Sequence, residues 1–277
     1  MTEKWMFINS GPQTGSYNMA MDDALLELHS KGKIPPVVRF YEWNPATLSI
    51  GYFQKAAEAV DLDQVKDSGF GFVRRPTGGR AVLHDRELTY SIIISESHPD
   101  MPETVTEAYR VISAGLLEGF RNLGLRAELA VPSTPEERNS LKNPKSAVCF
   151  DAPSWYELVV EGRKAAGSAQ TRQKGVILQH GAIPVSLDLD KLVSVFHFPT
   201  EDHRRRMKEK LEKKAVSIEE LSGRSVKMDE VTEAFRTGFE KALDVELFQA
   251  EPDREILELV RRFEEEKYSN DSWNFKK

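Results

Sequence analysis

Residues 74–85 read Arg74-Arg75-Pro76-Thr77-Gly78-Gly79-Arg80-Ala81-Val82-Leu83-His84-Asp85, between the strand-like Phe72-Val73 and Leu88 to Ile94. A proline followed by paired glycines lets the backbone take positive φ and bring bare N–H groups against a ligand. The three arginines favour an anionic or carbonyl-bearing group. The same residues also suit a solvated turn with charged flanks, and spacing does not separate the two readings. The stretch is neither GxGxxG nor a P-loop with its Lys-Ser/Thr, so it is not a generic nucleotide motif.

Toward the N-terminus, Trp5 to Ile8 reads as a strand. Asn18 reads as the cap of a helix carrying Met19, Ala20, Ala24, Leu25 and Leu28, with Asp22 and Asp23 in first turns where carboxylates suit the dipole. Val37 to Tyr41 and Thr47 to Ile50 are further strands, separated by a turn at Asn44-Pro45. Toward the C-terminus, Tyr109, Ile112, Leu116, Phe120 and Leu123 recur every three or four residues, which predicts a helix from Val105 that Gly124 stops. Ser154 to Val160 and Arg163 to Ala166 flank Glu161-Gly162 as a hairpin with a two-residue loop, a register that sets Lys164 opposite Val159. Val176 to Leu178 and Ala182 to Val185 supply more strand. Arg204 to Lys214, Asp229 to Leu243 and a last segment opened by Pro252 read as helices. Helices and strands mix without βαβ alternation, which predicts an α+β fold: a mixed, largely antiparallel β-sheet flanked by α-helices. The expected organisation is one domain over residues 1–250, its motif core at 33–248, with 251–277 a helix and tail packed on it.

Composition narrows the function classes. The 277 residues are 40 % hydrophobic and 30 % charged, which excludes wholesale disorder. A single cysteine makes neither an internal disulfide nor a Cys-rich zinc site. With 38 basic against 44 acidic side chains, net −6, the chain lacks the basic excess of a nucleic-acid binder. The opening residues lack the basic start and apolar run of a signal peptide, and no stretch is apolar long enough to span a bilayer. A cytoplasmic protein with no membrane and no nucleic-acid partner is expected, and a monomer, since no coiled-coil pattern forces association.

Three further features bear on chemistry. Cys149, between Val148 and Phe150, is either a small buried hydrophobe or a reactive thiol. Lys164, followed by the small-residue run Ala166-Gly167-Ser168-Ala169, is either an exposed hairpin lysine or an ammonium that favours a nearby thiolate. His29, His84, His98, His180, His197 and His203 show no ligand spacing, so no metal is expected; His84 and His180 adjoin glycine-containing strand ends and are placed to line a pocket. Residues 204–214 carry seven Lys/Arg against two Glu, a solvated helix face or a docking patch for an acidic protein.

Taken in order, Asn18-Met19-Ala20-Met21-Asp22, Arg39-Phe40-Tyr41 with Thr47 to Gln54, the stretch 74–85, and Gly162-Arg163-Lys164-Ala165-Ala166-Gly167-Ser168-Ala169-Gln170 resemble the biotin/lipoate protein ligase (BPL/LPL) superfamily, which includes lipoyl and octanoyl transferases. The likeness runs from the first helix to Ser272-Trp273-Asn274-Phe275, and with Cys149 it is similar to the LipM-type octanoyltransferases. The resemblance implies an acyltransferase that moves octanoyl from octanoyl-acyl carrier protein to a lysine of the glycine cleavage system H protein, through a cysteine thioester and without a cofactor. It implies Cys149 as nucleophile and Lys164 as the residue that lowers its pKa and positions the acyl carbonyl. Arg74, Arg75, Gly78, Gly79 and His84 would line the substrate pocket, with Gly167 and Ser168 as its facing wall. ATP-dependent lipoate ligases follow the equivalent of His84-Asp85 with x-Gly-Asn, whereas Arg86-Glu87-Leu88 follows here, which counts against adenylation. The alternatives are an amidotransferase moving octanoyl from H protein to other lipoyl domains, an ATP-dependent lipoate ligase and, in a different class, a non-catalytic acyl-binding protein.

Overall fold

The computed structural model describes residues 2–130 and 157–276. The chain runs β1 (Glu3–Gln13), α1 (Gly15–Ser30), β2 (Val37–Trp43), β3 (Thr47–Ile50), α2 (Ala56–Ala59), α3 (Leu62–Asp67), β4 (Gly71–Arg74), β5 (Val82–His84), β6 (Glu87–Ser95), α4 (Val105–Asn122) and β7 (Ala127–Ala130). It resumes with β8 (Glu157–Val160), β9 (Arg163–Gln173), β10 (Val176–Pro184), α5 (Leu189–Ser194), α6 (Glu201–Lys214), α7 (Ile218–Ser222), α8 (Met228–Leu243), β11 (Val245–Gln249), α9 (Arg254–Phe263) and, after a π-turn, α10 (Asp271–Asn274).

Among the described residues the main sheet has the order β11-β1-β2-β6-β10-β9-β8-β7. β1 is parallel to both neighbours and every other adjacent pair is antiparallel, so the sheet is mixed and largely antiparallel, as the sequence predicts. Both faces of its centre are covered, so β6 is buried from Glu87 to Ile94 although Glu87, Thr89 and Ser91 are polar. Leu88, Tyr90, Ile92 and Ile94 face a core shared with α4 and α8, while Ile93 faces the core of α1 and α9. A small second sheet, β4-β3-β5, packs over a third core with α3, α5 and α6.

The hairpin register follows from its turn. Glu161 and Gly162 have φ of 52° and 74°, the pair of positive values a type I′ turn requires, and Lys164 stands opposite Val159. α4 and α8 approach so closely that a Cβ on Gly115 would lie 2.1 Å from the Phe239 ring, and one on Gly119 2.2 Å from Phe235. The first helix begins earlier than the sequence suggests: Thr14, not Asn18, caps α1, its hydroxyl accepting from the Tyr17 amide. Asn18 and Asp22 are buried one to two turns inside it, because the polar centre of the site supplies partners that no local pattern reveals. Ile256, Val260 and Tyr268 pack in the same core as Leu25 and Leu28 of α1. Among the described residues, no helix is long and apolar enough to cross a membrane.

Candidate active site

A pocket opens where the two sheets meet α1. Gly79, which is exposed, stands at its mouth, and Met19, Tyr41 and Ser49, at 1 % exposure or less, are its most buried lining. Arg75, Gly79 and His84 line one side, and Gly167 and Ser168 of β9 another. The family resemblance implies these two segments as facing walls, and both contribute residues to this pocket.

Two hydrogen-bond chains hold the walls. In the first, the Ser49 hydroxyl accepts from Arg75 Nη1 (3.1 Å) and lies 2.8 Å from His84 Nε2. On the other side of the ring, Glu87 Oε1 lies 2.7 Å from His84 Nδ1, and a carboxylate there accepts the Nδ1–H. Glu87 also accepts from Thr89, which accepts from Trp43 Nε1, and the Trp43 ring stacks on His84 with centroids 4.1 Å apart. One imidazole face and both its nitrogens are thereby fixed.

In the second chain, Asp22 and Arg39, both wholly buried, pair at 2.8 Å. Ser91 and Tyr41 also donate to the Asp22 carboxylate. Burial would raise the Asp22 carboxyl, but the Arg39 charge and the His180 contact outweigh it and hold the group below its ordinary value. His180 Nδ1 lies 3.3 Å from Asp22 Oδ2 and its Nε2 2.7 Å from the Thr77 hydroxyl. Burial pushes His180 below the ordinary imidazole value, against the opposing pull of Asp22. A neutral ring satisfies both contacts, with Nδ1–H donating to Asp22 and Nε2 accepting from Thr77. Thr77 is the residue before the paired glycines, so this chain ties the loop to α1 and β10.

The loop is also stapled from within. Arg75 Nη2 donates to the carbonyls of Gly78 (2.9 Å) and Arg80 (2.7 Å). Since a trans peptide sets C=O and N–H on opposite sides, the Gly79 amide faces away from Arg75. A Cβ on Gly51 would lie 2.0 Å from the Gly79 carbonyl, so β3 backs directly onto the loop.

Arg74 departs from the expected substrate-facing role. It does not line the pocket; its guanidinium donates to the carbonyls of Gly51, Tyr52 and Gln54 on one side and of Trp273, Asn274 and Lys276 on the other. Gly78 is also outside the lining, one residue from Gly79. Lys164 is buried on β9, four residues before Ser168. Cys149 lies outside the described residues. The basic helix is partly neutralised: Arg204 pairs with Glu201, Arg205 and Arg206 with Asp202, and Lys208 with Asp190. Asp22, Arg39 and Glu87 were not expected at the site; the one available signal was the i,i+3 spacing of His84 and Glu87. No group of three or more His, Cys, Asp or Glu residues among those described is placed to hold a metal.

The model of the lipoyl protein ligase A/B catalytic domain matches residues 14–240. Octanoyltransferase LipM of Lysinibacillus sphaericus is 63 % identical over 273 residues, and that of Bacillus subtilis 60 % over 275, each comparison covering 99 % of both chains. Among solved structures, a bipartite lipoate protein ligase from Thermoplasma acidophilum superposes with a TM-score of 0.81 at 27 % identity, covering 99 % of this chain and 96 % of the other. A lipoate-protein ligase A bound with ATP gives 0.77 at 28 %, covering 99 % of each. With its glycine loop, its facing β9 wall and its two-sheet scaffold, this chain belongs to the lipoyl protein ligase A/B catalytic-domain family.

Proposed function

We propose that the protein is an octanoyltransferase that moves octanoyl from octanoyl-acyl carrier protein to a lysine of the glycine cleavage system H protein, in the cytoplasm and as a monomer. The observation that carries this reading is the full-length identity of about 60 % to octanoyltransferases, joined to a pocket built within one chain. Its lining includes Met19, Tyr41, Trp43, Val82 and Ala182, surfaces suited to an alkyl chain, and the exposed Gly79 stands at its mouth.

In the proposed reaction the Cys149 thiolate attacks the donor's thioester carbonyl. The tetrahedral oxyanion collapses, the acyl–enzyme thioester forms, and the carrier's thiolate leaves. The neutral amine of the acceptor lysine then attacks the enzyme thioester, the amide forms, the amine proton is lost and the Cys149 thiolate returns. The Lys164 ammonium favours the thiolate and helps position the acyl carbonyl, and the outward Gly79 amide supplies a donor for the oxyanion. Exchange of one thioester for another costs little and amide formation runs downhill, so no ATP or cofactor enters.

The test is intact mass after mixing the protein with octanoyl-acyl carrier protein and no ATP, followed by neutral hydroxylamine. An octanoyl adduct that hydroxylamine removes and Cys149→Ala abolishes is expected. Acylation only from octanoyl-H protein would replace this reading with the amidotransferase. The likeness to lipoate ligases, one of them bound with ATP, supports a second reading, and adduct or product formation only with ATP and free acid would establish it.

A further inference from the structure

Phe53 is 85 % exposed, the most exposed of the large hydrophobic side chains described, yet it sits on one of the most tightly held turns in the protein. Gly51 and Gln54 close the turn on themselves, the Gln54 amide donating to the Gly51 carbonyl and the Gln54 side chain accepting from the Gly51 amide. Arg74 Nη1 binds the carbonyls of Gly51, Tyr52 and Gln54 at 3.0, 3.0 and 2.6 Å. The Tyr52 amide donates to Thr77, joining the turn to the glycine loop at the pocket mouth. The Tyr52 ring lies 4.8 Å from Phe53, and the Lys276 ammonium lies 3.2 Å above the Tyr52 ring centroid. No carboxylate among the described residues pairs with Lys276.

An aromatic held rigidly in water gains nothing for folding, but it binds a partner without the entropy cost of ordering a loop. An adjacent cation with no carboxylate partner adds a preference for an acidic surface. We propose that Phe53 and Lys276 form the contact that receives the protein donor: an acidic carrier with an apolar spot rimmed by carboxylates, docked at the mouth so that its acyl arm enters beside Gly79. This rests on the acyl-transfer reading above and adds to it the surface that recognises the carrier. The Tyr52–Thr77 hydrogen bond and the contact of Gly51 with the Gly79 carbonyl set this turn beside the glycine loop, which puts Phe53 next to the path of a carrier whose arm enters past Gly79.

The test compares initial rates of enzyme acylation, below saturation, from octanoyl-acyl carrier protein and from octanoyl-N-acetylcysteamine, a thioester with no protein body. Phe53→Ala and Lys276→Glu should each lower the rate from the carrier tenfold or more and leave the rate from the small thioester within twofold of wild type. A twofold or smaller effect on both rates overturns the docking contact while leaving the transfer reading intact. An equal loss on both overturns it too, since the turn would then shape the pocket rather than bind the carrier. Wild type acylated by the small thioester but not by the carrier removes the carrier as partner, and no acylation from either thioester overturns the transfer reading itself.

Discussion

Arg39 and Arg74 are both wholly buried, and the protein accommodates the two charges in opposite ways. Arg39 meets a carboxylate, Asp22, and its remaining donors reach Asn18 and Ser10. Arg74 meets no carboxylate; six main-chain carbonyls surround it, and burial pulls its pKa below the ordinary guanidinium value. A carboxylate neutralises an arginine locally, whereas carbonyl dipoles do so only while two remote segments stay in place. Arg39 therefore holds the centre of the site together, and Arg74 fastens residues 273–276 to the turn beside the glycine loop.

The contrast breaks most sharply at Arg39. Arg39→Met leaves Asp22 charged and uncompensated, and should cost about 3–5 kcal/mol in urea unfolding. If Asp22→Asn in the same chain fails to restore a large part of that, the ion pair is not what Arg39 supplies. Arg74→Lys should cost less, about 2–3 kcal/mol, because an ammonium has three donors for six carbonyls. Its distinguishing mark is faster hydrogen exchange at residues 272–276, which Arg39→Met should leave as in wild type; equal exchange in both variants would erase the contrast.

The smallest effect is the pH dependence of the carboxylate cluster. His180 and Asp22 both have lowered values in the folded protein, so the unfolded chain binds protons that the native one does not. Their stabilisation is present at neutral pH. The His180 part is lost as pH falls below about 6.5, and the Asp22 part as it falls below about 3.9. Urea unfolding from pH 8 to 5 should lose stability with a slope of at most about 1.4 kcal/mol per pH unit from His180. His180→Gln should flatten that slope; an unchanged slope would mean that another group titrates there.

Legibility in the sequence followed the range of the contacts. Lys164 opposite Val159 was readable because a two-residue turn sets the register locally. The helices with strong periodicity, such as α4, were readable for the same reason. The roles of Arg74 and Arg75 were not separable, although they are neighbours in one motif: Arg75 staples its own loop, while Arg74 reaches partners about 200 residues away. Asp22 looked like a helix-dipole carboxylate because nothing nearby in sequence points to Arg39, Ser91 and His180 as its partners. The facing walls of the pocket were legible from the resemblance, and the hydrogen-bond chains behind them were not.

The glycine contact between α4 and α8 bears on how fast the chain can reach this state. A Cβ on Gly238 would lie 2.5 Å from the Gly119 nitrogen, so two helices separated by more than a hundred residues must meet almost backbone to backbone. β1 likewise needs β11, from the far end of the described chain, before its second edge is paired. The entropy of closing such loops falls due before the contacts that offset it exist. The kinetic barrier to folding is therefore chiefly topological, and refolding belongs on the slow, high-contact-order side of the range.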